Sequence, residues 1–309
     1  MNPTSRRAFL GAAAAAFAAR AAVDYPIKLG FSFYGMKEFR LGDAFEAIGR
    51  IGYESVELTI QEGWPTEPSK LDPGDRNLIR YFLQDLDIEL SGLMERILLT
   101  ADDDQHAANL ERIRRAAELA HGLSPTKPPI LETVLGGKPD QWPEIREQMA
   151  ERLADWRRVA REVDITIAIK PHVGGAAHLP EHALWLLRQS GGSRIKAAYD
   201  FSHYQLRGLD MEGTLRDLGP ETVFVHVKDA TGDAQKPQFL LPGQGTTDYP
   251  ALLRRLSALM YTGAVMVEVS GQIHNRLDYD AVGSALDSFE FLEQAFLDAG
   301  LRQHEAELP

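Results

Sequence analysis

The 309-residue chain contains no cysteine. That absence excludes disulfides, thiolate metal sites, iron–sulfur clusters and cysteine nucleophiles together, so any metal must be held by carboxylate and imidazole. Basic residues are in deficit: 33 Lys plus Arg stand against 45 Asp plus Glu, for a formal net charge of −12. Such a balance argues against a nucleic-acid groove or an anionic membrane surface as the main partner. Phosphate-cradling and nucleophile-elbow signatures of the G-x-x-x-x-G-K-[ST] and G-x-S-x-G type are missing as well. What remains is ordinary globular material, 44% apolar and 25% charged.

The first residues have the form of a targeting segment rather than of a fold. Ser5-Arg6-Arg7-Ala8-Phe9-Leu10 precedes an alanine-rich run to Ala19, then Arg20-Ala21-Ala22. A paired arginine, a weakly apolar segment and small residues at a cut site resemble a twin-arginine signal, whose route carries folded proteins. Ala8–Ala19 is 12 residues, whereas a bilayer-spanning helix needs about 20. Cleavage after Ala21 is expected, giving a signal peptide over 1–21 and a single domain over 22–309. It removes three arginines and no acid, taking the net charge from −12 to −15. The mature chain, with no other run of membrane length, is expected to be soluble and periplasmic or otherwise exported.

Eight short apolar runs follow: 27–34, 55–60, 88–94, 129–136, 166–173, 195–204, 222–230 and 264–271. Several are continuously hydrophobic, such as Val223-Phe224-Val225 and Val265-Met266-Val267, as parallel strands buried on both faces require. Amphipathic patterns lie between them. Trp142, Ile145, Met149, Leu153 and Trp156 keep helical spacing behind Pro143, and Leu41, Phe45, Ile48 and Ile51 do so up to Gly52. Asp248 is placed to cap a helix burying Leu252, Leu253, Leu256 and Met260, and a last helix spans about 280–299. Eight strand–helix units without a long linker predict an α/β fold, a closed (β/α)8 TIM barrel. An open doubly wound sheet usually carries a glycine-rich loop after its first strand, and here Met36-Lys37-Glu38 stands instead.

In a barrel of this kind the chemistry lies at the C-terminal strand ends. Those ends carry Glu57, Glu95, Glu132, Lys170-Pro171-His172, Asp200-Phe201-Ser202-His203, His226-Val227-Lys228-Asp229 and Glu268. Five of the nine histidines, His172, His178, His203, His226 and His274, fall at or just after strand ends. Each residue alone has an ordinary structural role: Asp200 as a helix cap, Glu268 as a lysine partner, His226 as a core histidine. Brought to one mouth, buried charges need compensation, and one divalent cation is the simplest form of it. Carboxylate with imidazole suits Mn²⁺, Mg²⁺, Co²⁺ or Zn²⁺.

The order Asp200-x-x-His203, His226-x-Lys228-Asp229, Pro242-Gly243-Gln244-Gly245 and Val267-Glu268 resembles the xylose-isomerase-like barrel superfamily of sugar isomerases and epimerases. Gly52-Tyr53-Glu54-Ser55-Val56-Glu57 also matches, and the resemblance covers essentially the whole mature chain. It implies one divalent metal held by acids on strands five, six and eight and a histidine on strand seven. Asp200, His226 and Glu268 match three of these positions, and His203 matches a substrate-contacting histidine. Lys170 departs from the pattern, standing where the family usually has a ligating glutamate. An ammonium cannot ligate a cation, so the resemblance leaves three protein ligands, or a fourth from His172 or Glu132.

The implied chemistry is proton abstraction next to a sugar carbonyl, through an enediolate. Glu268 is the expected base, His203 an orienter or acid, and Lys170 a donor to the enediolate oxygen. His172, Lys228 and Glu132 are expected to contact the substrate, a small sugar or sugar derivative. Reprotonation gives isomerisation or epimerisation, whereas loss of a β-substituent makes the enzyme a lyase or dehydratase on a keto-sugar or oxidised glycoside. A non-catalytic sugar-binding barrel is the remaining alternative. Association into a homo-oligomer stays open.

Overall fold

The computed structural model describes residues 26–190 and 192–303, so the expected signal peptide lies outside the described residues. Eight parallel strands form a closed barrel: β1 Lys28–Ser32, β2 Ser55–Thr59, β3 Glu89–Glu95, β4 Ile130–Val134, β5 Ile167–Lys170, β6 Ile195–Asp200, β7 Thr222–Val227 and β10 Ala264–Val267. Their order round the barrel follows the chain and closes by pairing β1 with β10. Each of the eight apolar runs supplies one of these strands, as predicted. Sequence reasoning missed a two-stranded antiparallel hairpin, β8 Asp229–Gly232 with β9 Pro237–Leu240, inserted after β7. Among the described residues no helix is long and apolar enough to cross a membrane.

The helices start and stop where local chemistry directs. Helix α1, Leu41–Ile51, ends on Gly52, whose φ of 111° is open to glycine and costly for other residues. Helices α2 Pro73–Asp85 and α3 Asp103–Leu123 are capped by Asp72 and Asp102. Helix α4, Trp142–Glu162, carries its proline in the first turn and buries Met149, Leu153 and Trp156. Short helices α5 Pro180–Ser190, α6 Phe201–Gln205 and α7 Met211–Leu218 follow. Helix α8, Tyr249–Ala258, is capped by Asp248 and buries Leu252, Leu253 and Leu256. Met260 differs from expectation. The helix stops before it, its φ is 58°, and its side chain lies 85% exposed. Helices α9 Gly271–His274 and α10 Ala281–Asp298 complete the chain, the latter capped by Asp280.

The two-residue period of the strands decides where the site lies. Outward residues such as Val56, Leu58, Ile167, Ile169, Val265 and Val267 pack under the helices. Inside, Ala168, Ala198, Phe224, Ala264 and Met266 form an apolar floor. The floor is filled tightly: a Cβ at Gly30 would lie 2.6 Å from the Met266 methyl, and one at Gly92 2.7 Å from the Phe224 ring. Two residues further along the strands, the inward positions are Ser32, Glu57, Met94, Glu132, Lys170, Asp200, His226 and Glu268, polar at all but Met94. Polar side chains therefore form a ring directly above a dry floor.

Candidate active site

Register brings the ring together. Ser32 lies opposite Glu57 across β1 and β2, and Asp200 opposite His226 across β6 and β7. The Glu268 amide continues the ladder by donating to the Val227 carbonyl at 3.1 Å. Glu95 is one residue out of phase with Met94 and faces the other way. Its carboxylate meets the Arg112 guanidinium at 2.5 Å, outside the ring.

His226 sits at the centre of the cluster. Its Nε2 is 3.0 Å from Glu57 Oε2, which also accepts from Ser32 Oγ at 2.5 Å. Its Nδ1 is 3.0 Å from Glu268 Oε2. The Lys170 ammonium lies 2.7 Å from that same oxygen, 2.8 Å from His226 Nδ1 and 3.2 Å from Glu132 Oε1. The Lys228 ammonium bonds Asp200 Oδ2 and stands 3.2 Å from Glu268 Oε2. Asp200 also fulfils its structural role. Its Oδ1 caps α6 by accepting from the Ser202 amide at 3.1 Å and hydroxyl at 2.6 Å, leaving Oδ2 for the site.

Burial separates the four carboxylates by task. The side chains of Glu57, Glu132 and Asp200 are 0–1% exposed, whereas that of Glu268 is 11% exposed. Glu268 is thus the acid of the ring that a ligand reaches from the mouth. Burial opposes its ionisation, but Lys170, Lys228 and His226 outweigh that and hold its carboxyl well below the usual range. Burial and Lys170 work against a proton on His226, yet Glu57 and Glu268 prevail and raise it to about 9. Below that pH the imidazolium donates to Glu57 and Glu268; above it, Nδ1 accepts from the Lys170 ammonium at 2.8 Å. Burial pushes Glu132 up despite Lys170.

Two further histidines line the mouth beside this ring. His172 and His203 face each other with ring centroids 4.2 Å apart. Burial, aided by Lys170 and Lys228, lowers His172 to about 4, and burial with His172 beside it takes His203 well below its ordinary value. Both are neutral at pH 7, suited to bonding hydroxyl groups. His203 Nε2 lies 3.5 Å from Asp200 Oδ2, and its buried Nδ1 has no partner among the described residues. The missed hairpin covers this corner. Phe239 meets His203 edge-on at 5.3 Å, and the Lys228 ammonium is 5.4 Å from the same ring. Gln272 on α9 pins the hairpin by accepting from the Phe239 amide and donating to the Pro237 carbonyl, both at 3.0 Å.

Lys170, His203, Glu268, His172, Lys228, Glu132, Asp200 and His226 thus all reach one mouth, joined by Ser32 and Phe239. His178 does not, and His274 stands further out, still within electrostatic reach of Glu268. His178 packs on His182, and His274 packs edge-on against Tyr34. Asp229, adjacent to Lys228, is turned to structure: it accepts from the amides of Gly243, Gly245 and Thr247 at 2.8–3.3 Å.

Donors of the kind a divalent ion uses are assembled in two groups, Asp200 with His226 and Glu268, and Glu57 with Glu132 and His226. Within each group the donor atoms lie within 4.8 Å of one another. The fifth strand adds a competing cation. Lys170 brings an ammonium onto Glu268 Oε2 and His226 Nδ1, and Lys228 another onto Asp200 and Glu268. With these in place an ion would meet an ammonium at Glu268 Oε2, at His226 Nδ1 and at Asp200 Oδ2.

A family model described as xylose isomerase-like TIM barrel matches residues 45–295. An uncharacterized protein of Mycobacterium tuberculosis (strain ATCC 25618 / H37Rv) is 24% identical over 271 residues, 79% of this chain and 89% of that one. Among solved structures, the probable 3-DHS dehydratase AsbF of Bacillus anthracis superposes with a TM-score of 0.70 at 15% identity, covering 86% of this chain and 99% of that one. The 3-keto-D-glucoside 4-epimerase YcjR of E. coli gives 0.67 at 15%, covering 87% and 99%. A Mycobacterium smegmatis barrel solved with magnesium gives 0.67 at 16%, covering 89% and 97%. At these identities the likeness is one of fold. Match length and barrel topology together establish that the chain belongs to the xylose isomerase-like TIM barrel family.

Proposed function

We propose that this protein is an enzyme of the sugar isomerase/epimerase type, abstracting the proton next to a carbonyl of a small sugar or sugar derivative. The observation that carries the reading is the Glu268 carboxylate, the mouth-facing acid of the ring, flanked by two ammonium groups. A C–H proton moves to a Glu268 oxygen, and the carbonyl oxygen gains the charge. Lys170 and Lys228 lose their anionic partner as Glu268 is neutralised, and they turn to the developing enediolate oxygen. Negative charge then shifts a short distance inside a pre-arranged field and none is created, which is the condition for electrostatic catalysis in a dry site. His172 and His203, neutral at pH 7, bond the sugar hydroxyls.

A relative solved with magnesium keeps the notion of a divalent ion open as a matter of family. In this chain Asp200, His226 and Glu268 are the residues with the donors for it, and the two lysines compete for them.

One observation favours a second outcome of the same chemistry. With Lys170 in place of an acid, the ring offers the mouth a single carboxylate base. Isomerisation needs only one, returning the proton to the neighbouring carbon. Elimination of a β-substituent also needs only one, with an ammonium or imidazole assisting the leaving group. A two-base epimerisation needs an acceptor on each face of the sugar. Residues 4–22 support export by the twin-arginine route, where free sugars and glycosides are the available substrates. The test is deuterium wash-in from ²H₂O over a panel of keto-sugars and keto-glycosides, with product analysis. Exchange without leaving-group loss supports the isomerase reading, and exchange with loss the lyase. No exchange on any substrate would refute both.

A further inference from the structure

We propose that the Lys170 ammonium is the resident cation of this centre, taking the place of a divalent ion, so that the chemistry inferred above proceeds without metal. The inference rests on that reading for its catalytic part and on geometry alone for its metal part.

One point charge touches both groups of candidate ligands. Lys170 Nζ is 2.7 Å from Glu268 and 2.8 Å from His226 Nδ1 in the outer group, and 3.2 Å from Glu132 in the inner one. A divalent ion bonded to Glu268 and His226 at about 2.0–2.2 Å would have to share those two atoms with the ammonium. The two cations would then be close neighbours in a region with an apolar floor beneath, where repulsion is poorly screened. Lys170 is held in this position by buried partners. Its side chain is 4% exposed and the acids around it are its partners. The second ammonium competes for the remaining outer ligand, since Lys228 bonds Asp200 Oδ2. An ammonium also supplies what the reaction asks of a cation here. It carries positive charge and up to three N–H donors, which transfer from Glu268 to the enediolate oxygen as the carbon–hydrogen bond breaks and the proton joins Glu268. The electron pair of that bond becomes the carbon–carbon double bond, and no further reactant is needed.

The experiment titrates Mn²⁺ into EDTA-treated protein and follows free ion by electron paramagnetic resonance. Binding at the centre is counted as the part lost in Asp200→Ala. Wild type is expected to show none at millimolar Mn²⁺, Lys170→Met to gain binding, and Lys170→Glu to bind at least about 10²-fold tighter than wild type. The double variant Lys170→Met with Glu132→Gln removes both members of a buried pair and serves if the single variants fail to fold. Deuterium wash-in by wild type should be unchanged by EDTA. Stoichiometric Mn²⁺ binding by wild type at micromolar concentration, or wash-in abolished by EDTA and restored by Mn²⁺, would overturn the proposal. If no substrate exchanges deuterium under any condition, the functional reading falls, and the metal titration still decides the role of Lys170.

Discussion

Replacing Glu57 with Gln tests the electrostatics of the ring at its most buried point. Glu57 and Glu268 raise His226 to about 9, against about 6.5 in an unfolded chain. A raised folded-state value stabilises the fold fully below the unfolded value, and the contribution is lost as pH climbs through the folded one. Here the window is pH 6.5 to 9, and a shift of that size corresponds to about 3 kcal/mol. Gln keeps an acceptor for Nε2 and removes the charge. A hydrogen bond to a charged group is worth about 1.5–3 kcal/mol, so the His226 midpoint should fall by about 1 to 2 units. The assay is an NMR titration of the imidazole in EDTA-treated protein, paired with urea unfolding at pH 6.5, 8 and 9. Wild-type stability should decline across that range, and the Glu57→Gln variant should show a shallower slope. A wild-type His226 titrating near 6.5, or equal midpoints in the two proteins, would refute the reasoning.

Glu268→Gln should lower deuterium wash-in at least about 10²-fold, as loss of a general base does, with the far-UV dichroism of the barrel retained. Phe239→Ala removes a buried ring packed against His203 and is expected to raise KM more than it lowers kcat, with a stability loss of about 3 kcal/mol in chemical denaturation. Asp229→Asn replaces the carboxylate that three loop amides share, so the Gly243, Gly245 and Thr247 amides should exchange with solvent faster, and unfolding should become easier by about 2 kcal/mol. Arg6→Lys with Arg7→Lys should hold the precursor in the cytoplasm, measured by cell fractionation. Normal periplasmic accumulation would remove the twin-arginine proposal and leave the barrel untouched.

The barrel was legible because parallel strands buried on both faces write continuous apolar runs, and each of the eight runs became a strand. Helix ends were legible where a single residue decides them, as Gly52 and Asp248 do. The hairpin β8–β9 was not. Its strands are four residues each, their burial alternates weakly, and Pro237 opens the second, so no periodic signal marks them. Met260 was misjudged because helical periodicity carries no information on where the helix stops. Its position two residues past Ala258 turned an apparent core residue into an exposed one.

The site shows the same division between what spacing encodes and what only three dimensions reveal. Ring members were identifiable from strand ends, yet Glu95 and Glu132 looked equivalent until strand phase separated them. One residue of offset sends Glu95 outward to Arg112, while Glu132 joins Lys170 inside. Ser32 gave no signal, since a serine at a strand end is common and its role depends on Glu57 standing opposite in register. Lys170 was visible as a departure, but its consequence was open: an ammonium there either repels a bound ion or replaces it. The distances favour replacement. Its nitrogen lies 2.7 Å from Glu268 and 2.8 Å from His226, nearer than to Glu132 at 3.2 Å, so the ammonium occupies the donors an ion would use. On the proposal that Lys170 is the resident cation, a lysine on strand five changes more than the ligand count. It puts the positive charge of the site on the chain itself, covalently positioned and present at every pH at which the fold is expected to work.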